Sequence, residues 1–133
     1  MIVIDSLNGC IQAMPQEQFL LLQLHELLAY LNNQGVVTIM TIAQAGMVGS
    51  MTSPVDLTCL ADTVVLTRFF ENHGSVKKAI SVIKKRTGNH ENTIREYSVG
   101  KEGLRVGPVL HHFQGVLTGV PRIEGNVEEM MKP

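Results

Sequence analysis

Met1-Ile2-Val3-Ile4-Asp5 and Val36-Val37-Thr38-Ile39-Met40-Thr41-Ile42-Ala43 are the two stretches that decide the fold. The first is an apolar run that ends in an acid. The second is almost wholly apolar and rich in β-branched residues, which predicts a strand covered on both faces. Between them, Phe19, Leu20, Leu24, Leu27, Leu28 and Leu31 recur at three- and four-residue spacing and mark the apolar face of a helix. Pro15 suits the first turn of that helix, where its missing N–H costs nothing, and Gly35 suits its C-terminal cap. Strand, helix and strand joined by short connections make a βαβ unit, which implies a parallel sheet and a right-handed crossover. Ser6-Leu7-Asn8-Gly9 has turn composition and reads as the exit from the first strand.

Downstream the pattern changes. Residues 44–54 form a loop rich in Gly, Ser and Met, and residues 56–61 suit a single helical turn. Thr63–Phe70 and Lys77–Lys85 read as two strands joined by the turn Glu71-Asn72-His73-Gly74. Thr93–Val99, the tight turn Gly100–Gly103 and Leu104–Val106 read as a second hairpin. The predicted class is therefore α/β, a parallel βαβ start followed by antiparallel β-hairpins. Residues 1–107 form the domain, and 108–133 form a C-terminal extension expected to lie on the surface and to be partly mobile at its acidic end.

Composition narrows the function. Hydrophobic residues make up 44% and charged residues 17%, which fits a core-forming protein. A net charge of −1 with 5% aromatic residues argues against nucleic acid and against an anionic membrane surface. No apolar run approaches the ~20 residues of a membrane span, and no signal-type segment opens the chain. Cys10 and Cys59 have no partner motif, which suits reduced thiols in the cytoplasm. Neither cysteines nor carboxylates stand at metal-ligand spacing from the five histidines.

Three features could carry chemistry. Asp5 ends an apolar strand, the form of a Walker B element, where a carboxylate can hold magnesium through water. Gln44 lies just past the second strand, where a polar side chain can reach a γ-phosphate or an attacking water; taken by itself, a plain polar loop residue is the favoured reading. The run Lys84-Lys85-Arg86-Thr87-Gly88-Asn89-His90 puts Lys84 and Arg86 on one face of a strand. Two adjacent cations repel, so an anion between them is one explanation. A solvated basic strand end is the other.

The segments IVIDSLNG, FLLLQLHELLAYL, VVTIMTIAQAG, SPVDLTCLADTVVLTRFF, ISVIKKRTGNHENTIREYSVG and GLRVG, taken together and in this order, resemble the KaiC-family ATPase domain over roughly residues 1–120. The block Ile80–Arg95 carries the most specific part of the likeness. The resemblance implies a partial RecA-like sheet within the P-loop NTPase superfamily. By position, Asp5 matches the Walker B acid that supports Mg2+, with Ser6 beside it. Gln44 matches a strand-end sensor. Lys84 and Arg86 match the pair that family members insert into the neighbouring subunit's nucleotide site, and His90 ends that motif near the nucleotide. ATP and Mg2+ are the implied cofactors, and self-association into rings is the implied assembly.

The sequence contains no Gly-x-x-x-x-Gly-Lys-[Ser/Thr], and the family's catalytic acid lies upstream of the Walker B strand. Without the backbone nest that wraps phosphates, the chain is expected to be the C-terminal half of such a domain, holding ATP weakly or not at all and lacking ATPase activity alone. It is also expected to have unpaired strand edges where the phosphate-loop strand would lie. A different expectation is an interaction module that docks on full-length KaiC-like ATPase subunits and donates Lys84 and Arg86 in trans. A recombinase-like DNA-binding module is a third, disfavoured by charge.

Overall fold

The computed structural model describes residues 1–14, 16–44, 57–118 and 122–123. These fall into two compact units, one containing the described residues up to Gln44 together with Leu57–Ala61, the other beginning at Asp62.

In the first unit, β1 (Ile2–Ile4) runs parallel to β2 (Thr38–Met40), with Val3 opposite Ile39. The ladder is extended at both ends, by the Ile2 N–H on the Val37 carbonyl (2.9 Å) and the Thr41 N–H on the Ile4 carbonyl (3.0 Å). Between the strands come α1 (Leu7–Ala13) and α2 (Glu17–Asn33), so the βαβ reading holds. The segment after Asp5 is helical where turn composition suggested a loop. Leu7, Cys10 and Ile11 fall at one-turn spacing and all join the core, and that burial outweighs the turn preference of Ser, Asn and Gly. The core gathers Leu7, Leu20, Leu24 and Leu57, with Ile4, Met40 and Ile42 from the sheet side.

The end of α2 follows from Gly35. Its φ of +67° is open to glycine at no steric cost. The reversal lets the Val36 N–H reach the Leu31 carbonyl (3.0 Å) and the Gly35 N–H reach Asn32 (2.9 Å), a Schellman ending that satisfies carbonyls left over by the helix. The expected strand covered on both faces is realised more narrowly. Ile4, Met40 and Ile42 pack inward, whereas Val3, Val37 and Ile39 are 55%, 64% and 46% exposed, because α1 and α2 cover one side of this two-stranded sheet.

The second unit is an antiparallel meander in the order β3 (Thr63–Asn72), β4 (Ser75–Lys85), β5 (Arg95–Gly100), β6 (Gly103–Val109). The β3–β4 turn is tighter than the four residues expected. Asn72 pairs with Ser75, and His73 and Gly74 turn the chain with φ of +46° and +71°, the signs a two-residue type I′ hairpin requires. Phe70, Ala79 and Val116 are buried together, with Ile94, Leu110 and Phe113 around them. The segment after β6 therefore contributes to this core as far as Val116, with Phe113–Gln114 (β7) paired to Arg122–Ile123 (β8). The rest of the proposed extension, 119–121 and 124–133, lies outside the described residues, as do Pro15 and most of the loop after Gln44.

Neither β2 nor β3 gains a second neighbour among the described residues: β2 pairs with β1 alone and β3 with β4 alone.

Candidate functional site

The first group of candidate residues lies at the carboxyl ends of β1 and β2. Asp5 follows β1 directly and is exposed, and its carboxylate accepts a hydrogen bond from the Thr41 hydroxyl one residue past β2. Ser6 stands at the N-cap of α1 in extended conformation, with no side-chain capping bond. Gln44 is half-buried two residues after Ile42. What ties this edge together is Asn8, on the first turn of α1. Its amide donates to the Ala43 carbonyl (2.7 Å) and its side-chain oxygen accepts from the Ala43 N–H (2.8 Å). The side chain thereby takes the place of a neighbouring strand for the residue just before Gln44. The Leu7 N–H on the Thr41 carbonyl (2.9 Å) adds a third tether.

The second group lies at the open end of the β3–β4 hairpin. Lys84 is half-buried opposite Val64, and Lys85 is exposed opposite Thr63, its ammonium 3.5 Å from the Asn89 carbonyl. Arg86 follows β4. Its N–H donates to the Asp62 carbonyl (2.7 Å) and its guanidinium Nη1 lies 2.8 Å from Asp62 Oδ1. Asp62 is thus the intramolecular anion for Arg86, joined to it by backbone and side chain at once. Gly88 turns the following loop with φ of +76°, and His90 is half-buried beyond it.

Other cations of the basic stretch also face carboxylates. Lys77 is 3.0 Å from Glu96, and Arg95 meets Glu91 at 2.7 Å while also donating to the Gly107 carbonyl (3.1 Å). The Thr93 hydroxyl, and then Arg95, hold the Glu91 carboxyl below the usual glutamate range. Within the stretch Lys77–Arg95, Lys77, Arg86 and Arg95 are thus each joined to a carboxylate, which reduces the charge this stretch offers to a polyanion.

Asp5, Ser6 and Gln44 share one strand edge in the first unit, and Lys84, Arg86 and His90 share one hairpin end in the second. Sequence reasoning missed Asn8, Thr41 and Asp62. Asp62 was readable only with the correct register. Asn72 pairs with Ser75 at the turn, and an unbroken ladder from there sets Asp62 opposite Lys85. The register slips by one between Val64 and Val65, which brings Asp62 opposite Arg86 instead. Bulges commonly re-aim a side chain in this way.

Among the described residues no group of three His, Cys, Asp or Glu could form a protein cage for a metal. A lone, accessible carboxylate at Asp5 fits magnesium held chiefly by water and phosphate, the usual habit of that ion. No helix is long and apolar enough to cross a membrane, again among the described residues.

Comparison with known proteins gives the family. The family described as ATPase: KaiC matches residues 1–111. The circadian clock protein KaiC3 of Synechocystis sp. is 29% identical over 73 residues, covering 55% of this chain and 14% of that protein. The circadian clock oscillator protein KaiC of Acaryochloris marina is 32% identical over 65 residues, 49% of this chain and 12% of its own length. The KaiC of Synechococcus elongatus is 28% identical over the same length, with the same shares. The chain thus spans a small part of the relatives it matches. The matching family covers both groups of candidate residues, and the chain belongs to the KaiC family of ATPases.

Proposed function

We propose that this chain carries the strand-end acid and the basic loop of a KaiC-type nucleotide site and completes that site on an adjoining KaiC-family subunit by presenting Lys84 and Arg86 in trans. The observation that carries the reading is the rooting of Arg86. Rooted by its own N–H on the Asp62 carbonyl, it projects from a hairpin end instead of from a loose loop. A guanidinium held in place can form two parallel hydrogen bonds to a phosphate, and in phosphoryl transfer such a charge supplies on the order of three to five powers of ten in rate.

Each remaining residue then has a task. Asp5 would hold Mg2+ through water, its carboxylate oriented by the Thr41 hydroxyl. Magnesium, when bound, neutralises charge on the triphosphate. Gln44, fixed through Asn8 and Ala43, would face the γ-phosphate or the water that attacks it. His90 would border the nucleotide. Because the sequence has no Gly-x-x-x-x-Gly-Lys-[Ser/Thr], these 133 residues hold ATP weakly and do not hydrolyse it by themselves. The edges of β2 and β3, which have no second neighbour among the described residues, favour self-association or association with a full-length relative.

The test is to mix the chain with a purified KaiC-family ATPase and follow phosphate release. A dose-dependent change in rate that Arg86→Ala abolishes is the expected result. A change that survives Arg86→Ala would show that the chain acts by another route.

A further inference from the structure

Arg86 already has an anion, and its placement is built into the hairpin. The register slip between Val64 and Val65 puts Asp62 directly across from Arg86, one step beyond the last ladder pair, Thr63 with Lys85. Asp62 Oδ1 lies 2.8 Å from Arg86 Nη1, the distance at which a phosphate oxygen would meet the same donor. We propose that Asp62 is a resident counter-ion which occupies Arg86 in the place of a phosphate, so that a polyphosphate engages the basic loop only by displacing it. The proposal rests on the reading of Lys84–His90 as a phosphate-facing loop.

Two opposing effects decide the sign of an Asp62 substitution. Asp62 pre-orders the Arg86 side chain, and that favours binding. It also places a carboxylate beside the incoming anion, and the repulsion multiplies with the number of charges the anion carries. The side chains of the pair are 55% and 68% exposed, so the ion pair itself is a weak surface contact. The backbone bond from the Arg86 N–H to the Asp62 carbonyl survives any change of side chain at 62, so the root of the loop stays in place. For a highly charged anion, repulsion therefore outweighs the lost pre-ordering.

The experiment is a calorimetric titration of the full chain with inorganic tripolyphosphate at low ionic strength. Asp62→Asn should bind about fivefold tighter than the unsubstituted chain, which corresponds to about 1 kcal/mol. Asp62→Glu should bind like the unsubstituted chain, and Arg86→Ala at least fivefold more weakly. In an Arg86→Ala background Asp62→Asn should gain clearly less, since only the repulsion and not the competition for Arg86 is then relieved, and added salt should shrink all these differences. Thermal melts of the same samples should coincide, since both side chains are exposed.

If Asp62→Asn binds equally or more weakly while Arg86→Ala still weakens binding, the counter-ion proposal falls and the phosphate-facing reading stands. A gain that persists undiminished in the Arg86→Ala background would also overturn the proposal, as a general charge effect. If Arg86→Ala changes nothing, the phosphate-facing reading falls and takes the proposal with it.

Discussion

Replacing Phe70 by alanine is expected to remove ~3–5 kcal/mol from the stability of the β3–β6 unit, the usual cost of deleting a buried aromatic ring. Phe70 is 3% exposed and sits with Ala79 and Val116, and its ring meets Phe113 edge-on at 5.6 Å and 65°. That geometry places the positive edge of one ring toward the negative face of the other. Neither Ala79 nor Val116 is large enough to fill the space the ring leaves, so collapse would be incomplete and the cavity penalty would remain. Domains of this size hold a net ~5–15 kcal/mol, so a large share of the total is at stake. Urea unfolding followed by circular dichroism, with amide exchange to locate the loss in β3 and β4, is the measurement. A midpoint unmoved by Phe70→Ala would contradict the packing described for this unit.

Leu20→Ala is the counterpart in the first unit, with an expected loss of ~2–5 kcal/mol. Leu20 is 2% exposed, at the centre of the cluster with Leu7, Leu24 and Leu57. It joins α2 to α1 and to the segment at Leu57, so its removal should loosen the tethers at Thr41 and Ala43 that fix the strand-end edge. Leu27→Ala, on the same helix at a position 42% exposed, is the control and should cost clearly less. Equal losses at the two positions would mean that the buried face of α2 is assigned wrongly.

The βαβ start was legible because its two strands and its helix each repeat one residue type at one period. Leu20, Leu24 and Leu31 were picked out by spacing alone and are buried. Phe19, read as part of the same face, is 52% exposed, since it lies a quarter-turn away from the Leu20 stripe. α1 was missed because Ser6, Asn8 and Gly9 carry strong local turn preferences, while its helical signal rests on only Leu7, Cys10 and Ile11.

The candidate site was legible in part for a related reason. Asp5, Gln44, Lys84 and Arg86 stand at element ends, and element ends can be read from pattern. The residues that hold them are set by register. Asp62 reaches Arg86 only through a one-residue slip inside the β3–β4 ladder, and nothing in the alternation of β3 announces it. Asn8 reaches Ala43 across a separation of 35 residues, through an amide that composition treats as an ordinary turn residue.

The central claim is that this sequence holds the strand-end acid and the trans-acting basic loop of a KaiC-type site without a phosphate cradle of its own. A titration of the 133-residue chain with a fluorescent ATP analogue, with and without magnesium, tests it most directly. The account predicts weak binding that does not saturate in the micromolar range and that falls further on Arg86→Ala. Tight, magnesium-dependent binding that survives Arg86→Ala would contradict it, because the triphosphate would then be held by a part of the chain to which no phosphate contact has been assigned.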